Sequence, residues 1–93
     1  MIKSFSDKET SLLWEFGESR KLPPDIISRA IIKLAQLNNS ATLQDLRIPP
    51  ANYLEKLSGD REGQYSIRIN NKYRLCFRFI EGDSYDVEIC DYH

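Results

Sequence analysis

The chain reads as an α+β domain, an N-terminal helical hairpin packed on a small, mostly antiparallel β-sheet. Three observations predict it. Apolar residues recur at helical spacing in the first forty positions and alternate strictly from Tyr65 onward. Pro23-Pro24 divides the helical half in two. Short polar segments at 58–63, 70–72 and 81–83 divide the second half into strands.

Ile2 to Phe5 can form a short edge strand. Ser6-Asp7-Lys8-Glu9 has the form of a capping box, with Ser6 as N-cap and Glu9 reaching back, so a first helix is expected over 7–20. Leu12, Leu13 and Phe16 mark its apolar side, and Lys21-Leu22-Pro23-Pro24 stops it. Pro24 suits the first turn of a second helix, and Asp25 complements its positive end. Ile27, Ala30, Ile31, Leu34 and Ala35 form its stripe, flanked by Ile26 and Leu37, with an end at Asn38-Asn39. Thr42 to Leu46 fits one more helical turn capped by Thr42, and Ile48-Pro49-Pro50 is a loop. Residues 53–57 make a short strand. The turn after it has Gly59 and Gly63, both able to take positive φ.

The meander should keep one apolar face on the helices and one polar face open. Since a one-residue slip exchanges the faces, loop 70–72 sets Ile67 opposite Leu75, Tyr65 opposite Phe77 and Arg68 opposite Arg74. A three-residue loop at 81–83 sets Phe77 opposite Val87, Arg78 opposite Asp86 and Arg74 opposite Cys90. Arg68 facing Arg74 is unfavourable within the hairpin and suits a phosphate or carboxylate held by two guanidinium groups.

Composition narrows the function. Ninety-three residues allow one domain, 1–93, with a modest core. Thirteen basic and fourteen acidic residues give a net charge of −1, against a protein that coats nucleic acid by bulk charge. No apolar run reaches the ~20 residues of a membrane span, so no membrane association is expected. The N-terminus lacks the apolar core of a signal peptide, and two cysteines fit a reducing cytoplasm better than a disulfide scaffold. Charge is unevenly spread: Lys56, Arg61, Arg68, Lys72, Arg74 and Arg78 precede a stretch from residue 80 with five carboxylates and no Lys or Arg. The plainer interpretation is a solvated sheet face with cross-strand ion pairs; the functional one is an anion site.

The chain's single His stands in the terminal triplet Asp91-Tyr92-His93, straight after a strand, and Tyr92 keeps the parity of Arg74 and Cys90. Imidazole, phenol and guanidinium suffice for RNA cleavage without a metal: a base activates the ribose 2′-OH and an acid protonates the departing 5′-oxygen. Cys76, Cys90 and His93 lack a fourth ligand and the spacing of a zinc site. Cys76 and Cys90 are diagonal neighbours in this register, too far apart for an unstrained disulfide. No cofactor-binding motif is present.

Leu57-Ser58-Gly59-Asp60-Arg61-Glu62-Gly63-Gln64-Tyr65-Ser66-Ile67-Arg68-Ile69-Asn70, then Tyr73-Arg74-Leu75-Cys76-Phe77, Asp91-Tyr92-His93 and the opening Met1-Ile2-Lys3-Ser4-Phe5 resemble the HigB toxins of the RelE/ParE superfamily, over essentially the whole chain. The resemblance implies a RelE-like fold and a type II toxin, an endoribonuclease that cuts messenger RNA in the ribosomal A site. It implies as partners the ribosome and a HigA-type helix-turn-helix antitoxin, with operator DNA reached only through the antitoxin. Arg74 matches the arginine that holds the scissile phosphate, and Asp91, Tyr92 and His93 match the catalytic triplet: His93 for acid–base work, Tyr92 for positioning or stacking, Asp91 for orientation. Glu55 stands where relatives carry a histidine and is a competent base; Ser58 stands where they carry a lysine. Arg68, Arg78, Lys56, Arg61 and Lys72 are the candidate RNA contacts. A ParE-type gyrase poison and an inactive copy that only binds antitoxin are the alternatives. Trp14, if it lies off the core face, marks an antitoxin side.

Overall fold

The computed structural model describes residues 1–91. Two helices, α1 (Lys8–Phe16) and α2 (Pro24–Asn39), precede four strands, β1 (Glu55–Lys56), β2 (Tyr65–Arg68), β3 (Tyr73–Ile80) and β4 (Asp83–Asp91). The strands pair in sequence order, β1-β2-β3-β4, each antiparallel to the next. Residues 2–5 run parallel to the outer side of β4, with bridges Ile2–Ser84 and Phe5–Val87. The α+β expectation holds.

The first helix is shorter than the sequence suggested, and its cap is different. Asp7, not Ser6, is the N-cap, and its Oδ2 accepts from the Thr10 backbone N–H at 3.2 Å. Ser6 instead turns its hydroxyl to the Asp86 carbonyl, so the strand-like N-terminal segment takes it away from the helix. Gly17, in the left-handed conformation at φ 71°, ends the helix by donating to Leu13 O at 2.8 Å. Gly17 directly follows Phe16, the last apolar residue of the helical pattern, where such a cap commonly stands. Asp7→Ala should lower stability by about 1 kcal/mol, whereas Glu9→Ala should stay within about 0.5 kcal/mol; urea denaturation of both variants checks the assignment.

α2 begins on Pro24 as expected, but its fully buried line is Ile26, Ala30, Leu34 and Leu37. Ile27 and Ile31 pack on the rim of the core, one position around from the stripe read in the sequence. Trp14 is also half-buried against the core, and Phe16 is the exposed aromatic of α1. From the sheet, Ile67, Ile69, Leu75, Phe77 and Val87 complete the core. The predicted turn after α2 is present as a 3₁₀ turn over Leu43–Arg47, capped by Thr42 and Asp45 in a reciprocal capping box.

The β2–β3 register is the one expected, Tyr65–Phe77, Ile67–Leu75 and Arg68–Arg74. The β3–β4 register is expected only in part. Arg74 faces Cys90, but past Cys76 the pairing shifts by one, so Arg78 faces Tyr85 rather than Asp86. A two-residue turn, Glu81-Gly82, replaces the three-residue loop, with both residues at positive φ (49° and 84°), as a tight hairpin turn requires. A bulge at Asp86, φ 53°, restores the inward faces, and Arg78 still reaches Asp86 at 3.3 Å.

The second sheet face is not open. Ser66, Arg74 and Cys76 on it are buried. The predicted strand 53–57 shortens to Glu55–Lys56, and the chain after it bends at Gly59 and Gly63, both at positive φ. This segment crosses the face: Arg61 bonds Glu88 of β4 at 2.6 Å, and Arg78 of β3 reaches the Glu62 carbonyl.

Candidate functional site

Arg74 lies in the middle of this covered face, only 5% exposed. A buried guanidinium requires fixed acceptors. Its Nε donates to Ser66 Oγ and its Nη2 to the Tyr53 carbonyl, both at 2.7 Å. Its Nη1 lies 3.9 Å from a Glu55 carboxylate oxygen, an ion pair open to water on the Glu55 side. The geometry follows from register: Glu55 faces Ser66 across β1–β2, and Ser66 flanks Arg74 across β2–β3.

Arg68 resolves its like-charge position opposite Arg74 by turning outward. Nε donates to the Asn70 carbonyl, the Nη2 group meets the Asn71 side chain, and the guanidinium sits 5.4 Å from the Tyr53 ring centroid. Tyr53, Glu55, Arg68, Asn70, Asn71 and Arg74 together line a cleft of about 430 Å³. Two cations on its wall favour an anion there, and Glu55 adds a carboxylate at its side.

Tyr53 was missed in the sequence. It ends a 3₁₀ turn (Pro50–Asn52) in the left-handed conformation, φ 44°, an uncommon state for a side-chain-bearing residue. That conformation aims its carbonyl at Arg74 and its ring at Arg68. Asn52 holds the turn from beneath and is fully buried. Its amide donates to Gln36 Oε1 and the Leu46 carbonyl, each at 3.1 Å, and its oxygen accepts from the Lys33 ammonium. No period-two or period-3.6 pattern marks such residues; Ser66 alone was recoverable, from strand register.

The other candidates are dispersed. Arg61 is engaged by Glu88, whose hydrogen bond raises the guanidinium's already high pKa, and Arg78 by Asp86. Lys56 faces Tyr65, one parity away from Glu55, and Lys72 stands 5.4 Å over the Tyr73 ring. Asp91 faces Tyr73, on the parity opposite to Arg74, beside a second cleft lined by Asp7, Thr10 and Ile89. Tyr92 and His93 lie outside the described residues.

Cys76 and Cys90 are both free thiols, diagonal across β3–β4. The neighbouring Cys90 thiol lowers the Cys76 pKa, and the Cys76 thiol together with burial raises that of Cys90. Among the described residues no three His, Cys, Asp or Glu side chains converge as a metal site, and no helix is long and apolar enough to cross a membrane.

A model of the family described as RelE-like toxin of type II toxin–antitoxin system HigB matches residues 3–93. The chain is 36% identical to the Endoribonuclease HigB of Proteus vulgaris over 93 residues, 100% of both proteins. It is 36% identical to Toxin HigB-1 of Vibrio cholerae over 83 residues, 88% of this chain and 87% of the relative. Among solved structures it is similar to a chain of the YoeB-YefM complex from Staphylococcus aureus, with a TM-score of 0.62 at 16% identity, covering 100% of this chain and 98% of that one. At that identity the likeness extends to the architecture of two helices on a four-stranded sheet.

Proposed function

Because the chain belongs to the RelE-like HigB toxins of type II toxin–antitoxin systems, we propose that it is a cytoplasmic endoribonuclease that cuts messenger RNA in the ribosomal A site. The observation that carries this reading is the buried Arg74, fixed by Ser66 and Tyr53, with Glu55 at 3.9 Å and Arg68 on the same cleft. A rigid guanidinium is an effective partner for the charge that builds on a phosphate during displacement. Arg74 holds the scissile phosphate, with Arg68 beside it. Glu55 takes the proton of the ribose 2′-OH, whose oxygen attacks phosphorus in line. The bond to the 5′-oxygen breaks, and His93 supplies the proton to that leaving group. The products are a 2′,3′-cyclic phosphate and a 5′-hydroxyl, and the cycle needs no metal.

Tyr92 positions or stacks, and Asp91 orients the strand end that leads to both. Lys56, Arg61, Lys72 and Arg78 add positive charge around the site rather than at the reacting phosphate. The partner is a HigA-type helix-turn-helix antitoxin, through which operator DNA is reached. The relative of Proteus vulgaris bears the name endoribonuclease, and the solved Staphylococcus aureus neighbour is a toxin–antitoxin complex, which supports both parts.

The test is mapping of messenger RNA 5′ ends after brief induction in a bacterial host, wild type beside a variant lacking His93. New cuts in frame within translated codons, absent without His93, are the expected result. Growth arrest without new ends overturns the reading in favour of a gyrase poison. No arrest and no cuts overturns it in favour of an inactive copy.

A further inference from the structure

A third cleft, about 690 Å³, adjoins the one that holds Arg74 and shares Tyr53, Arg68, Asn70 and Asn71 with it. Its far wall is α2, with Arg29 and Lys33 one helical turn apart. No carboxylate among the described residues lines it, in a chain whose net charge is −1. Three cations and two amide side chains therefore surround a space with no internal counter-charge. Partial burial and the Arg29 charge both lower the Lys33 pKa, as expected of neighbouring cations that lack an anion. On the shared border, Tyr53 is 56% exposed, with the Arg68 guanidinium 5.4 Å from its ring centroid.

We propose that this cleft is a nucleotide subsite: single-stranded RNA stacks a base on Tyr53 and lays the adjoining phosphate between Arg68 and the Arg29–Lys33 pair. The inference rests on the RNA-cleaving function proposed above and extends it to nucleotides beyond the scissile bond. Stacking on an aromatic ring is tolerant of base identity, and cations track the backbone, so the subsite strengthens binding without strongly selecting sequence.

The experiment is an NMR titration of the ¹⁵N-labelled protein with 2′-O-methylated RNA, whose blocked hydroxyl prevents cleavage. A dinucleotide should shift signals around Ser66 and Arg74. A tetranucleotide should also shift Arg29, Lys33 and Asn71, move the Tyr53 ring protons upfield, and bind about tenfold more tightly. Arg29→Glu, at an exposed position, should remove that advantage while the dinucleotide binds as before. Tyr53→Phe should keep the advantage and Tyr53→Leu should lose it; amide spectra report whether each variant is folded. The inference is overturned if the tetranucleotide gains nothing over the dinucleotide, if folded Arg29→Glu keeps the full gain, or if neither oligonucleotide binds. Cleavage in cells is read separately from 5′ ends, so either idea can fail while the other stands.

Discussion

Arg74→Ala should slow cleavage by about 10²–10³-fold and also weaken the fold. Catalytically, removal of a preorganised donor to a reacting phosphate costs on the order of 10²–10³ in rate. Structurally, the substitution strips the buried Ser66 hydroxyl and the partly buried Tyr53 carbonyl of a charged donor. A stranded buried group costs about 1–3 kcal/mol and the partly buried Tyr53 carbonyl falls at the low end, so a loss of about 2–4 kcal/mol is expected. Glu55 contributes little to that sum because its carboxylate is solvated. Against a typical stability of about 5–15 kcal/mol, the variant should still fold at low temperature. Urea denaturation measures the first quantity, and cleavage by folded protein the second. Arg74→Lys keeps the charge but not the planar fork, so it should recover part of the stability and little of the rate. Full cleavage by Arg74→Ala would move the phosphate seat elsewhere.

Asn52→Ala should lower stability by about 2–3 kcal/mol although the residue touches no proposed reacting group. Its amide nitrogen serves Gln36 and Leu46, and its oxygen receives the Lys33 ammonium, so one truncation strands a buried carbonyl and a partly buried cation. The 3₁₀ turn it anchors delivers the Tyr53 carbonyl to Arg74. Activity should therefore fall together with stability, by more than the unfolded fraction explains. Asn52→Asp should do no better, since a carboxylate keeps the Lys33 contact but meets Leu46 and Gln36 oxygen to oxygen. Denaturation and cleavage rates measured on the same samples decide the matter: unchanged cleavage by the folded fraction would show that Tyr53 holds its place without this support.

Much of this was legible in the sequence where a period or a proline sets the answer. Alternation over 65–69 and 73–79 fixed the Arg68–Arg74 pairing, and Pro23-Pro24 placed the start of α2. The end of α1 was legible too and was misread: Gly17 directly follows Phe16, the last apolar residue of the helical pattern, and takes the left-handed conformation that ends a helix. The bulge at Asp86 was hidden, because two compensating one-residue changes leave the apolar faces as they were. Of the site, charge and register brought Arg68 and Arg74 together, and Glu55 came only from the resemblance. Tyr53 and Asn52 escaped because their roles depend on a carbonyl and on a buried amide, which carry no periodic signature. The open polar face was an error of context, since the segment that covers it has the composition of an ordinary turn.

The sheet also has an asymmetry at its two margins. On the outer side of β4, residues 1–6 supply backbone partners to Ser84 and Val87, Ser4 Oγ accepts from the Asp86 N–H, and Thr10 Oγ1 accepts from the Ile89 N–H. That margin is closed to further strands. The opposite margin is β1, two residues long, and both are charged and exposed. A short, charged border resists recruitment of a strand from another molecule. Glu55 thus serves two ends at one position: the carboxylate beside Arg74 is also half of what keeps neighbouring copies from zipping together. An apolar replacement at Glu55 would remove half of the charge on that border and should raise the tendency to self-associate, whatever it does to cleavage.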